Sequence, residues 1–163
     1  MAVMWSVVSV VILIVSTALL PFYLHETCKR ILRRQFDHEV FLPVVNANRL
    51  EFPFVRKVLE GFDVPVDYPR FRVQLMSDFL VLTYLLKNAC NPRRRLSNDE
   101  RLLCIYFVLV FLVLIIAHAL RFNERAVVLK LTALLEYFAN VVGERLNRIR
   151  LGDMTGSDYL MGL

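Results

Sequence analysis

Residues Ala2–Leu24 read AVMWSVVSVVILIVSTALLPFYL and hold no charged side chain. Lys29, Arg30, Arg33 and Arg34 follow almost at once. A helix rises about 1.5 Å per residue, so this run covers the hydrocarbon core of a bilayer, which is about 30 Å thick. A second uncharged run, Leu102–Leu120, is nearly as long. The chain therefore reads as an all-α integral membrane protein. It divides into a first transmembrane helix (residues 1–24), a small helical cytoplasmic insert (25–101), a second transmembrane helix (102–121), an amphipathic helix (122–150) and an extended tail (151–163).

Composition agrees with this division. A length of 163 residues is that of one domain. The hydrophobic share of 57% exceeds the roughly 45–50% usual for soluble domains. Mean hydropathy is +0.51. The apolar excess sits in the two long runs, which leaves little for a large soluble core.

The net charge of +5 does not point to nucleic acid, because 14 of the 20 Lys and Arg fall between His25 and Arg101, many beside the apolar runs. Basic residues at a membrane boundary mark its cytoplasmic face. The first run is expected to remain as an anchor. A cleaved signal peptide would open on basic residues and carry a shorter apolar core. Counting Lys and Arg near the helix ends predicts an N-out, loop-in, C-out arrangement, with a bacterial inner membrane as the expected location. A third span would return the tail to the cytoplasm.

Local signals mark the remaining helices. Pro21 near the end of the first helix is a site for a kink. Ser9 and Ser16 are seven apart and share a face small enough for another helix to approach closely, although membrane serines commonly bond their own backbone carbonyls. Glu26–Leu42 reads as a basic amphipathic continuation suited to a membrane surface. Pro43 and Asn46–Asn48 read as a loop. A short helix is expected over Pro53–Glu60, stopping at Gly61. Asp67 or Tyr68 caps the next helix, with Pro69 at its start. Its run FLVLTYLL is too short to span a bilayer, and it is expected to pack on the short helix before it or on a partner. Ser97 and Glu100 form a capping box ahead of the second transmembrane helix. With no Pro or Gly from Arg93 to Val142, that helix is expected to run on past Arg121.

The C-terminal stretch carries a polar stripe of Thr132, Glu136, Asn140 and Gly143 beside a broad apolar face. Lys130 and Glu136 make it a poor spanning helix, since a charge at mid-membrane costs about 2.5–3.5 kcal/mol on insertion scales. The expected role of Leu135, Phe138 and Val142 is contact with a partner. Arg93, Arg94 and Arg95 are expected to set topology, with a grip on anionic lipid headgroups as the rival role.

No catalytic or cofactor motif stands out. His25 and His118 lie at helix ends that two consecutive spans would place on opposite sides of the bilayer, so they do not suit one haem. His25-Glu26-Thr27-Cys28 is at most half a metal site. The three cysteines, Cys28, Cys90 and Cys104, have no ligand spacing and read as free thiols. There is no phosphate-binding glycine loop and no nucleophile motif. No cofactor or metal is expected. The expected partners are membrane lipid and other integral membrane subunits, with no nucleic acid. The expected role is a small non-catalytic accessory or assembly subunit of a larger membrane complex of energy-transducing or secretion type. The alternative is a membrane-anchored homodimeric regulator.

Overall fold

The computed structural model describes residues 2–33, 36, 41–61, 67–88, 96–121 and 124–161. Every regular element among them is an α-helix: α1 (Ala2–Leu32), α2 (Phe41–Asn48), α3 (Phe52–Gly61), α4 (Tyr68–Asn88), α5 (Asn98–Leu120) and α6 (Glu124–Met161). Residues 1–34 form one compact unit and residues 35–163 a second.

The first unit is α1. It continues through Pro21 and on to Leu32, so the expected boundary at Leu24 lies inside one helix. Arg33 is in a turn and Phe36 is not helical, which ends the basic amphipathic continuation well short of Leu42. No residue of the helix's apolar window is buried, and Leu13 and Phe22 are 68% and 69% exposed. Thr17 Oγ1 donates to the Leu13 carbonyl at 2.7 Å, so this hydroxyl is satisfied within its own helix.

In the second unit α6 is central: α2, α3, α4 and α5 all pack on it. Leu131, Leu134, Leu135, Phe138, Ala139 and Val142 have no exposed surface. The polar stripe is also enclosed, with Thr132, Asn140 and Gly143 buried and Glu136 half-buried. Amphipathicity was therefore a misleading guide here. A helix covered on most sides can carry polar groups if neighbouring elements satisfy them.

Constant offsets fix the helix directions. Leu86 meets Arg145, and Phe79 lies 6.1 Å from Phe138, both at a separation of 59 residues, so α4 runs parallel to α6. Glu100 pairs with Arg145 while His118 meets Glu124, so α5 runs antiparallel to α6. Phe79 and Phe107 stack at 4.0 Å and join α4 to α5.

The short elements follow local chemistry. α2 occupies a stretch expected to be a loop. Pro43 lies in its first turn, where a missing N–H costs nothing. Asn48 Nδ2 donates back to the Val44 carbonyl at 2.9 Å, and Arg49, at φ 50°, closes the helix in the left-handed region. α3 matches the expected short helix. α4 starts where Asp67 Oδ1 accepts from the Arg70 N–H at 3.4 Å, and it packs chiefly on α6 rather than on α3. α5 does not run on into α6. Arg121 takes a left-handed conformation, φ 52°, with its N–H directed to the Ala117 and His118 carbonyls. The expected extended arm from Gly152 is helical as far as Met161, as no proline interrupts α6.

Three helical stretches are long and apolar enough to cross a membrane: Val8–Leu32, Asn98–Leu120 and Glu124–Arg148. That is one more than expected. The charges in α6 argued against it in the sequence, but in the structure Glu136 is paired.

Burial predicts a sharp contrast between two substitutions. Phe138→Ala leaves a cavity in the centre of the unit and is expected to cost about 3–5 kcal/mol. Leu112→Ala, at a side chain 48% exposed on α5, is expected to cost at most about 0.5 kcal/mol. Thermal unfolding of the detergent-solubilised protein measures both. Equal melting temperatures would contradict the burial of Phe138.

Candidate functional site

The polar chemistry of the second unit is concentrated where helices end. α3 is fastened at three points. At its N-terminus, Asp78 Oδ2 of α4 accepts from the Glu51 N–H at 2.9 Å and the Phe52 N–H at 2.7 Å. Those N–H groups have no partner inside α3, and a carboxylate there also meets the positive end of the helix dipole. Asp78 is only 5% exposed, so this is a buried cap supplied from another helix.

Farther along α3, Arg56 bonds Glu60 at 2.8 Å and pairs with Glu136 of α6. The hydrogen bond to Glu60, with the charges of both carboxylates, holds the Arg56 guanidinium above its ordinary pKa despite partial burial. At the C-terminal end of α3, Arg125 of α6 donates to the Leu59 carbonyl. One short helix thus has its first amides, its middle and its last carbonyls tied to α4 and α6.

A second cluster joins the opposite end of the unit. Glu100 is 5% exposed and serves two partners. Its Oε2 accepts from the Ser97 N–H at 3.0 Å, the return bond of the expected capping box. Its Oε1 pairs with Arg145. Arg145 also donates to the Leu86 carbonyl at 3.1 Å, near the end of α4. At the α5–α6 turn, His118 Nδ1 lies 3.2 Å from Glu124 Oε1.

Several expected site residues fall elsewhere. Arg93, Arg94 and Arg95 lie outside the described residues, as does Cys90. Leu135, Phe138 and Val142 are buried within this chain, each with no exposed surface, so they do not present a face to a partner. Cys28 and Cys104 are free thiols. Among the described residues no group of three His, Cys, Asp or Glu is placed to hold a metal ion.

Sequence reasoning missed Asp78, Arg56, Arg125 and Arg145. A signal existed for Asp78: it is a lone carboxylate beside the apolar run FLVLTYLL. An ionisable residue in such a setting calls for a named partner. Chemically, these groups cap helices and neutralise one another.

No protein-family model, curated protein or solved structure matches the chain. Fold and surface together define a class: an all-helical protein whose candidate membrane-spanning helices indicate membrane association.

Two predictions follow from the clusters. Asp78→Asn keeps an oxygen to accept from Glu51 and Phe52 and is expected to be tolerated, whereas Asp78→Ala strands both amides and is expected to cost about 1–3 kcal/mol. Denaturation in mild detergent reads the difference, and equal losses would contradict the capping role. Arg145→Met leaves Glu100 buried without its counter-charge and is expected to cost about 3–5 kcal/mol, part of which Glu100→Gln in the same protein restores. A double variant less stable than the single one would rule out the pairing as the cause.

Proposed function

We propose that the chain is a small non-catalytic accessory or assembly subunit of a larger membrane protein complex. The observation that carries this reading is the state of α1. It is long enough to span, forms a unit of its own, and buries none of its apolar window within the chain. The spanning stretch of such a helix, uncovered by the chain, offers its apolar surface to lipid or to the helices of other subunits, while Cys28 near its end is buried. Ser9 and Ser16 on one face would allow close approach of such a helix.

The charged groups support the same reading from the other direction. Asp78, Glu100, Arg145, Glu136, Arg56 and Arg125 are engaged in caps and ion pairs within the second unit. They hold helices rather than converge on a common space. The face of Leu135, Phe138 and Val142, expected to meet a partner subunit or a second copy, is covered by the chain itself and supports neither this reading nor the alternative, a homodimeric regulator.

In this proposal the basic ends of α1 and α5 face the cytoplasm of a bacterial inner membrane, and α6 is the third span. The helix count then places Arg148 on the cytoplasmic side, opposite to the C-out arrangement expected for two spans.

Native purification from mild detergent with mass spectrometry tests the proposal. Larger membrane subunits are expected to copurify. Replacing residues 2–24 by an unrelated leucine-rich span, with Lys29–Arg34 kept, is expected to leave the protein in the membrane and remove those subunits. A monomer would overturn the accessory reading. A clean homodimer would overturn it in favour of the regulator.

A further inference from the structure

We infer that α4 also crosses the bilayer, beside α5 and α6, with its outward stripe of Val73, Leu80 and Tyr84 lying against lipid acyl chains. The inference rests on the reading that α5 spans, and it goes beyond that reading because α4 is not among the helices apolar enough to be recognised as a span.

Level ends carry the argument. Arg145 holds the Leu86 carbonyl of α4 and Glu100 of α5 at one end of the bundle. At mid-height Phe79 of α4 stacks on Phe107 of α5, and both helices flank α6 there. At the other end His118 of α5 meets Glu124 of α6. The parallel register of α4 on α6, in which Phe79 lies by Phe138 and Leu86 by Arg145, brings Tyr68 to that same end. α4 therefore covers the depth that α5 covers. Its 21 residues rise about 31 Å, which matches the hydrocarbon thickness. A helix locked level with a spanning neighbour over its whole length cannot stay on one side of the membrane.

Side-chain placement fits this position. Arg70 and Arg72 lie in the first turns of α4 and Lys87 in the last. From Val73 to Leu86 the one charge is Asp78, buried and bonded to the α3 amides. Val73, Leu80 and Tyr84 recur at helical spacing and are 58–68% exposed. The exterior of α5 is likewise apolar, with Ile105, Leu112, Ile116 and Leu120 48–72% exposed. Arg49 and Glu51, at the α2–α3 corner, are also exposed. With the basic end of α1 in the cytoplasm, the chain between α1 and α4 must also return across the bilayer, through α2 and α3 packed on α6. These exposed charges require that segment to meet water or protein there rather than acyl chains. The Leu86–Arg145 end carries Lys87, Arg101 and Arg148, and the segment joining α4 to α5 carries Arg93–Arg95 in sequence, which makes this end cytoplasmic.

Single cysteines in a full-length chain lacking Cys28, Cys90 and Cys104 test the inference, with a membrane-impermeant maleimide applied to right-side-out and inverted vesicles. Asp67→Cys and Arg121→Cys are expected to label from the outer face only. Asn88→Cys and Asn98→Cys are expected to label from the cytoplasmic face only, and Leu80→Cys from neither. If Asn98→Cys and Arg121→Cys label from opposite faces but Asp67→Cys and Asn88→Cys from the same face, α4 does not cross and the inference falls while the α5 span stands. Labelling of Leu80→Cys also overturns the lipid contact. If Asn98→Cys and Arg121→Cys share a face, the α5 span fails first. Antibody access to an epitope inserted after Val64, with all native cysteines in place, gives a second reading. Access from the cytoplasmic face overturns the inference, and access from the outer face supports it.

Discussion

Four helices share the surface of α6 between Val128 and Gly143, and the second unit has no other common element. Leu131, Leu134, Leu135 and Phe138 have no exposed surface there, so close packing is the contact the four helices have in common. Packing alone does not choose a register. The aromatic contacts do so at mid-height, where Phe107, Phe79 and Phe138 meet. The ion pairs do so at the ends. Sliding α4 by one turn would separate Leu86 from Arg145 and Asp78 from α3 together. The apolar surface supplies attraction, and the polar groups select one arrangement from those it would allow.

Charge within such a unit has to be answered locally. An amide or carboxylate left without a partner in a low-dielectric setting loses the hydration it had in water. The chain solves this mostly with backbone. Asp78 is bonded by two amides, Arg125 by a carbonyl, and Arg145 by a carbonyl and a carboxylate. Helix ends supply these groups, because they are the places where backbone polar groups lack intrahelical partners. Each cluster therefore satisfies a side chain and a helix terminus at the same time.

This also explains which features were legible in the sequence. α1 and α5 announce themselves through uncharged length, and the N-terminus of α5 through the Ser97–Glu100 spacing, all of which are local. α3 is bounded by Gly61 and α4 by Asp67, again local. α2 was not legible, because Pro43 and the asparagines also suit a loop, and only the Asn48 back-bond and the Arg49 conformation distinguish the two. The centre of the unit was not legible either. Glu136 reads as a solvent-facing charge until Arg56, 80 residues away, is seen beside it. Asp78 gives no hint that its partners lie 26 and 27 residues earlier. The face of Leu135, Phe138 and Val142 reads as a partner contact, because periodicity carries no information about what covers it.

Burial and hydropathy rank the two candidate spans of the second unit in opposite order. α5 is the more apolar helix, yet 33% of its span window is buried, against 67% for α6. In water the more apolar helix would be driven inside, since burial of apolar surface is the main favourable term in folding. A lipid solvent removes that drive between helices. It leaves tight packing and the need to satisfy polar groups as the forces that decide which helix is central. α6 carries Thr132, Glu136 and Asn140, residues that lipid would solvate poorly, and it sits inside. α5 turns Ile105, Leu112, Val113 and Ile116 outward, residues that lipid solvates well. The inverted order agrees with the membrane association that the candidate spans indicate.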